Sequence, residues 1–127
     1  MNENEIGSIL LDTAIKLHKK LGPGLFENVY EVVLMDHLQK KGLSVQRQVS
    51  IPIKFEGKQF DEAFKLDLLI EGKVIIELKS IEKINPTHKK QVLTYLKLTN
   101  KKLGYILNFG TELMKDGITR IVNGLPD

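Results

Sequence analysis

Three charged side chains interrupt the most apolar part of this chain. The stretch "FKLDLLIEGKVIIELKS", residues 64–80, has the pattern of two strands joined by a short turn, yet it contains Asp67, Glu77 and Lys79. A charge that is buried without a partner costs several kcal/mol or is neutralised. These residues are therefore expected either to form a structural ion pair or to surround a charged ligand.

The length of the turn decides whether the two carboxylates meet. Glu77 and Lys79 lie two positions apart on one strand, so they point to the same face of the sheet. A three-residue loop at 71–73 would place Asp67 opposite Glu77, whereas a two-residue turn would put the carboxylates on opposite faces. Gly72 favours the longer loop, because such a loop needs a left-handed backbone position.

Two carboxylates that converge in a partly dry site repel each other, and a hard divalent cation removes that cost. Oxygen ligands in a chain without cysteine suit Mg²⁺ or Mn²⁺ better than zinc. Such an ion lowers the pKa of a bound water. Lys79 could orient that water, or its ammonium could stabilise the charge that develops on a phosphate. Charge stabilisation is the simpler role, because it does not require the pKa of the lysine to be shifted. From these residues alone, a structural ion pair is an equally good interpretation.

The composition is that of one soluble globular domain, spanning residues 1–127. The chain is 42% hydrophobic and 28% charged, and its length allows one real core. Its net charge of +3 permits binding to a polyanion without requiring it. No apolar run approaches the roughly 18 residues of a membrane span, and the acidic N-terminus is unlike a secretory signal. The cytoplasm is therefore the expected location, with no membrane contact.

The hydrophobic pattern predicts the order helix, helix, strand, strand, strand, helix, strand, strand. Pro52 indicates an unpaired edge or a bulge in the first strand. The final strand–helix–strand passage implies a right-handed parallel crossover. We therefore predict a three-layer α/β/α sandwich with a mixed central sheet. The predicted helices are 5–21, Leu25 to before Gly42, and 85–100; the predicted strands are 44–55, 62–70, 74–81, 103–109 and 117–123.

The charged pattern resembles that of a known enzyme superfamily. Asp67, followed after a hairpin by "ELK" at 77–79, resembles the PD-(D/E)XK nuclease superfamily. The stretch "GLFENVY" at 24–30 matches Gly-x-x-Glu-x-x-Tyr, so the chain is similar to the GxxExxY protein family, a small branch of that superfamily. Leu66 stands where the superfamily name has proline, which supplies no ligand. The likeness covers residues 6–122 and implies a restriction-endonuclease-like core of order αβββαβ.

The resemblance implies a role for each charged position. Asp67 and Glu77 would bind the catalytic Mg²⁺ or Mn²⁺, aided by the backbone carbonyl of Leu78. Lys79 would be the catalytic lysine. Glu27 would be an additional acidic ligand, directly or through water. Its structural alternative is a place in the first turn of a helix, where the helix dipole favours a carboxylate.

A second helix supplies two further candidates. Gln91 and Tyr95 match a Gln-x-x-x-Tyr motif, which implies that they face the site and hold metal-ligand or phosphate geometry. They are also an i, i+4 pair, which shares a helix face whatever its function. Tyr30 is expected to pack rather than react. His88 is expected to be exposed or to face phosphate, and not to bind metal.

The function implied is a metal-dependent nuclease that hydrolyses phosphodiester bonds of DNA with a metal-activated water. One alternative is a resolvase-like homodimer acting on branched DNA. Another, from a different class, is a nucleic-acid-binding or protein-interaction module with little or no cleavage. RNA also stays open as a substrate. No helix-turn-helix or zinc finger is recognisable, so we expect weakly specific or structure-dependent cutting, or targeting by a protein partner.

Overall fold

A computed structural model describes residues 1–126, which form three α-helices, five strands and one short 3₁₀ helix. The predicted element order is confirmed. The second strand begins four residues earlier than expected, and the third ends two residues earlier. The elements are α1 (Glu3–Leu21), α2 (Glu27–Lys40), β1 (Val45–Phe55), β2 (Lys58–Ile70), β3 (Val74–Lys79), α3 (Pro86–Thr99), β4 (Leu103–Asn108), the 3₁₀ helix (Met114–Gly117) and β5 (Ile118–Val122).

The five strands form one mixed sheet in the order β1-β2-β3-β4-β5. β3 and β4 are parallel, as the predicted crossover requires, and the other neighbouring pairs are antiparallel. One face of the sheet packs against α1 and α2, and the other packs against α3. The predicted three-layer α/β/α sandwich with a mixed central sheet is therefore confirmed.

Local signals in the sequence account for the helix boundaries. Asn2 caps α1 and forms a reciprocal capping box with Glu5. Asn85 caps α3 in the same way with His88, whose Nδ1 accepts from the Asn85 N–H at 3.3 Å. His88 thus has a structural partner in the cap. α2 has no side-chain cap, and its first turn follows directly on the exposed Phe26.

The turn between β2 and β3 has the predicted three residues. Ile70 pairs with Val74, and the left-handed positions are Gly72, with φ of 64°, and Glu71, with φ of 54°. The antiparallel pairing of these strands ends after only three residue pairs, at Leu68 with Ile76. β1 and β2 continue beyond that point as a two-stranded arm. The arm leaves an opening in the sheet beside β3.

The position of Pro52 fits both sequence-based alternatives. β1 is the edge strand of the sheet, so the missing N–H of the proline does not interrupt a central ladder. The pairing of β1 with β2 also shifts register between Ile51 and Ile53. Pro52 therefore lies on an edge strand and at an irregularity, within the arm.

Asn108 at the end of β4 holds the chain that follows β3. Its Oδ1 accepts from the N–H of Ile81 at 3.1 Å and from that of Gly110 at 3.0 Å, and its Nδ2 donates to the Ile81 carbonyl at 3.0 Å. The side chain is almost completely buried. It satisfies three backbone groups that no strand ladder reaches.

We expect Asn108→Ala to lower the free energy of unfolding by roughly 2–4 kcal/mol, because a buried polar group left without a partner costs about 1–3 kcal/mol. Chemical denaturation with urea measures the change. Asn123→Ala serves as the control, since the Asn123 Nδ2 donates one hydrogen bond, to the Lys101 carbonyl. An equal decrease in the free energy of unfolding in the two variants would contradict the conclusion that the Asn108 side chain holds the segment after β3.

Candidate active site at the end of the β2–β3 ladder

Asp67 and Glu77 lie where backbone pairing between β2 and β3 stops, and their side chains continue the contact between the strands. The N–H of Leu78 donates to Asp67 Oδ2 at 2.8 Å. In the opposite direction, the N–H of Asp67 donates to Glu77 Oε1 at 3.4 Å. The structure thus brings together the two carboxylates that the register prediction placed opposite each other.

Glu77 is buried, with only 7% of its surface exposed. Burial, and after it the charge of the Asp67 carboxylate, raise the pKa of its carboxyl from 4.5 to about 8. The hydrogen bond from the Asp67 N–H and the charge of Lys79 act in the opposite direction on this pKa but do not outweigh burial. Without a bound cation, the Glu77 carboxyl therefore carries a proton at neutral pH.

Sequence analysis missed Glu31 as a site residue. It lies on α2 one turn after Glu27 and is 4% exposed. Its carboxylate accepts from Arg47 Nε at 3.0 Å and from Gln48 Nε2 at 2.6 Å. Its charge also contributes to the raised pKa of Glu77. The i, i+4 spacing from Glu27 was the available signal, since it places both carboxylates on one face of the helix.

Gln48 connects Glu31 to Asp67. Its Nε2 donates to Glu31 Oε1 and lies 3.4 Å from Asp67 Oδ1. The backbone of Gln48 has a φ of 52°, a left-handed conformation that is uncommon for a residue other than glycine. Strict alternation along β1 gave no sign of this conformation, so the sequence could not place this amide in the site.

Glu27 lines the same small cavity as Asp67, but its side chain is exposed to solvent. The cavity has a volume of about 140 Å³, and Asn28, Glu31, Gln48 and Leu78 complete its lining. No group of three acidic, histidine or cysteine side chains within residues 1–126 is arranged to hold a metal ion. A role for Glu27 as a ligand therefore stays a prediction.

The backbone at Leu78 faces the opening between β2 and β3. The Leu78 N–H donates towards β2, to Asp67, whereas the next carbonyl, of Lys79, accepts from the Phe109 N–H beyond β4. Within a strand, the N–H and carbonyl of one residue point the same way, and successive residues alternate. The Leu78 carbonyl therefore points to the Asp67 side, as a ligand role would require.

Lys79 lies on the same strand face as Glu77, and its charge acts on the Glu77 carboxyl. Within residues 1–126 it forms no salt bridge with either carboxylate. A structural ion pair among Asp67, Glu77 and Lys79, the alternative left open by the sequence, is therefore not present. Lys79 is half-buried.

Tyr95 faces the carboxylates from α3. Its ring stacks on Phe64 with centroids 4.2 Å apart. Burial raises the pKa of the phenol, and the charges of Glu77 and Asp67 raise it further, which places this side chain in their field. Gln91 lies one turn earlier on α3 and is exposed. The role predicted for Gln91 in the site therefore stays a prediction.

The donor set fits a hard divalent cation. It comprises two carboxylates and a backbone carbonyl, all oxygen ligands of the kind that Mg²⁺ and Mn²⁺ take. Within residues 1–126, neither Asp67 nor Glu77 forms an ion pair with a basic side chain. A cation bound between them would remove the repulsion and favour the ionised form of Glu77.

Comparison with protein-family models matches residues 4–121 to the PD-(D/E)XK nuclease superfamily. Searches of curated proteins and of solved structures gave no match. Within residues 1–126, no helix is both long and apolar enough to cross a membrane. The match covers Asp67, Glu77 and Lys79 together with the helices and strands that position them.

Glu77→Gln tests the raised pKa of Glu77 through stability. Between pH 4.5 and about 8, the folded protein keeps a proton that the unfolded chain has released, so this carboxyl makes the fold less stable as pH rises across that window. A shift of one pKa unit corresponds to about 1.4 kcal/mol. Without divalent cations, we expect Glu77→Gln to exceed wild type in unfolding free energy by at least ~1 kcal/mol at pH 9, and to match it near pH 4.5.

Urea denaturation across this pH range, in the presence of a chelator, measures the difference. The exposed Glu112, changed to Gln, controls for the loss of a surface carboxylate. A difference between Glu77→Gln and wild type that does not change with pH would show that burial does not hold a proton on Glu77.

Proposed function

We propose that this chain, which belongs to the PD-(D/E)XK nuclease superfamily, is a divalent-metal-dependent nuclease that hydrolyses phosphodiester bonds of DNA. The observation that carries the proposal is the convergence of Asp67 and Glu77 at the open end of the β2–β3 ladder, with Lys79 beside them. All the acidic and basic positions of the superfamily pattern are present in this sequence.

Asp67, Glu77 and the Leu78 carbonyl would hold the cation, either Mg²⁺ or Mn²⁺. When bound there, the ion would supply a water of lowered pKa and positive charge beside the scissile phosphate. The Leu78 N–H keeps Asp67 oriented with its 2.8 Å hydrogen bond, and the amide of Gln48 reaches its other oxygen. Both contacts fix the carboxylate before any ligand binds, which limits the reorganisation that binding requires.

Lys79 would stabilise the negative charge that develops on the phosphate oxygens during hydrolysis. Its ammonium is not paired with the carboxylates, so it is available to a substrate phosphate. A positioned cation in a partly dry site is worth more than the same charge in water. Tyr95, held by its stack on Phe64, would complete the α3 side of the site. Gln91 would approach the substrate from the exposed surface of the same helix.

We propose that the chain belongs to the GxxExxY branch, and the physical roles of the motif residues support this proposal. Gly24 has a φ of 98°, which residues with a side chain rarely adopt. Tyr30 is fully buried and stacks on Phe109 with centroids 4.3 Å apart. Its hydroxyl donates to the Gly22 carbonyl at 2.6 Å and accepts from the Leu25 N–H at 3.1 Å. The motif thus fixes the loop that presents Glu27 to the site, and Tyr30 packs as expected.

Lys79→Ala tests the nuclease proposal. We expect it to lower the rate of cleavage about 10²- to 10³-fold, the usual effect of removing one group that stabilises transition-state charge. The assay uses labelled single-stranded, duplex and branched DNA and a labelled RNA, each with Mg²⁺ or Mn²⁺. Lys40→Ala is the control, because Lys40 is a surface lysine paired with Asp36 at the far end of α2.

Cleavage that is equal in wild type and Lys79→Ala would point to a contaminating nuclease. Cleavage by neither protein, with binding intact, would favour the alternative of a binding module. A preference for branched DNA, with a dimer in light scattering, would favour the resolvase-like alternative.

A further inference from the structure

A groove of about 770 Å³ adjoins the candidate active site. We refer to it as the loop groove. It lies between residues 23–28, which include the start of α2, and residues 80–82, which follow β3, with Gly110 also in its lining. Glu27 and Asn28 line both this groove and the cavity that contains Asp67. A nucleic acid with one phosphate at a cation held by Asp67 would therefore have the loop groove beside it.

Phe26 is the most exposed large apolar side chain of the described residues, with 84% of its surface accessible. It lines the loop groove and lies directly before α2. Its backbone is held firmly, because the neighbouring Leu25 donates to the Tyr30 hydroxyl and accepts from the Ser80 hydroxyl at 2.6 Å. The ring is therefore presented to solvent from a fixed segment, and the core gains little from it.

The charges around the loop groove favour a neutral group over a phosphate. The charged side chains that line it are Glu27 and Glu82, and no lysine or arginine is among the lining residues. Lys83 and Lys89 line the next cavity, of about 240 Å³, together with Asp116 and with Glu82, which the two cavities share. The nearest cations that could contact a phosphate thus lie outside the loop groove, and a neutral base fits the groove better than a phosphate does.

We propose that the loop groove receives an unpaired nucleobase, which stacks on the ring of Phe26. This inference rests on the proposed nuclease function and specifies its substrate as a single strand, a frayed end or a flap. An exposed aromatic ring stacks on the face of any base, but only where that face is not already covered by a neighbouring pair. A groove of this volume lies within the range of ~300–1,000 Å³ typical of small-ligand sites.

A protein partner is the competing occupant. Leu25, Val29 and Val32 are also partly exposed near Phe26, and they could extend a contact surface along α2. The groove itself favours the base, because it shares Glu27 and Asn28 with the cavity that contains Asp67. The two occupants predict different effects of the same substitutions, so one set of variants separates them.

The wild-type chain contains no tryptophan, which makes Phe26→Trp a direct reporter of stacking. We place this substitution in the Lys79→Ala background with Mg²⁺ present, so that bound DNA is cut only slowly during the measurement. Phe55→Trp in the same background is the matched control, since Phe55 is 64% exposed at the tip of the arm and lines none of the cavities described above. Fluorescence anisotropy of labelled oligonucleotides reports binding independently of the tryptophan signal.

We expect single-stranded DNA to quench the tryptophan emission of Phe26→Trp and to leave that of Phe55→Trp unchanged. Phe26→Ala should weaken binding of single-stranded and flapped oligonucleotides about 5- to 100-fold. Binding of a blunt duplex should change less than about 2-fold, because all of its bases except those at the two ends are stacked on both faces. Phe55→Ala should bind like the parent protein.

Several results would overturn the inference. If single-stranded DNA binds but leaves the Phe26→Trp emission unchanged, the inference is wrong, whereas the nuclease proposal stands. Phe26→Ala that binds every oligonucleotide normally but converts a dimer to a monomer in light scattering would assign the surface to a second copy of the chain. No binding of any oligonucleotide by any variant would remove the nucleic-acid proposal and this inference together.

Discussion

The structure depends on the point at which β2 and β3 stop pairing. Beyond Leu68 and Ile76, backbone-to-backbone pairing stops, and the N–H groups of Asp67 and Leu78 donate instead to the carboxylates of Glu77 and Asp67. This arrangement satisfies the N–H groups at the end of the β2–β3 pairing. It also leaves a gap between the two strands that a ligand could enter. The arrangement also brings two carboxylates together at a site where Glu77 is buried, and this burial holds a proton on Glu77 at neutral pH.

The surrounding elements keep that opening in place from both faces of the sheet. On one face, α2 contributes Glu31, which Arg47 and Gln48 fix, and the amide of Gln48 extends this network to Asp67. On the other face, α3 contributes Tyr95. Beyond β3, Asn108 holds the segment that lines the loop groove. The site is therefore assembled from both helical layers as well as from the sheet.

Sequence patterns predicted the layers, the order of the elements and the turn that brings the carboxylates together. The apolar pattern was sufficient for the strands, because a strand that is buried on both faces is continuously apolar, as from Val74 to Ile76. The turn was predictable because Gly72 permits a left-handed backbone position. The local network was less predictable. The conformation of Gln48 is left-handed without glycine, and the burial of Glu31 depends on partners from β1 that no local pattern identifies. Glu27, which the resemblance favoured, proved more exposed than its neighbour one turn later.

Calorimetric titration with Mn²⁺ at pH 7 tests the central claim that Asp67 and Glu77 form a cation site. The proteins to compare are wild type, Asp67→Asn and Asp61→Asn. Asp61 is an exposed aspartate on the arm, so its substitution serves as the control. The account predicts saturable binding in wild type and in Asp61→Asn, and its loss in Asp67→Asn, with circular dichroism spectra that show all three folded. Equal affinity in Asp67→Asn and wild type would contradict the account, because the cation would then bind elsewhere on the chain.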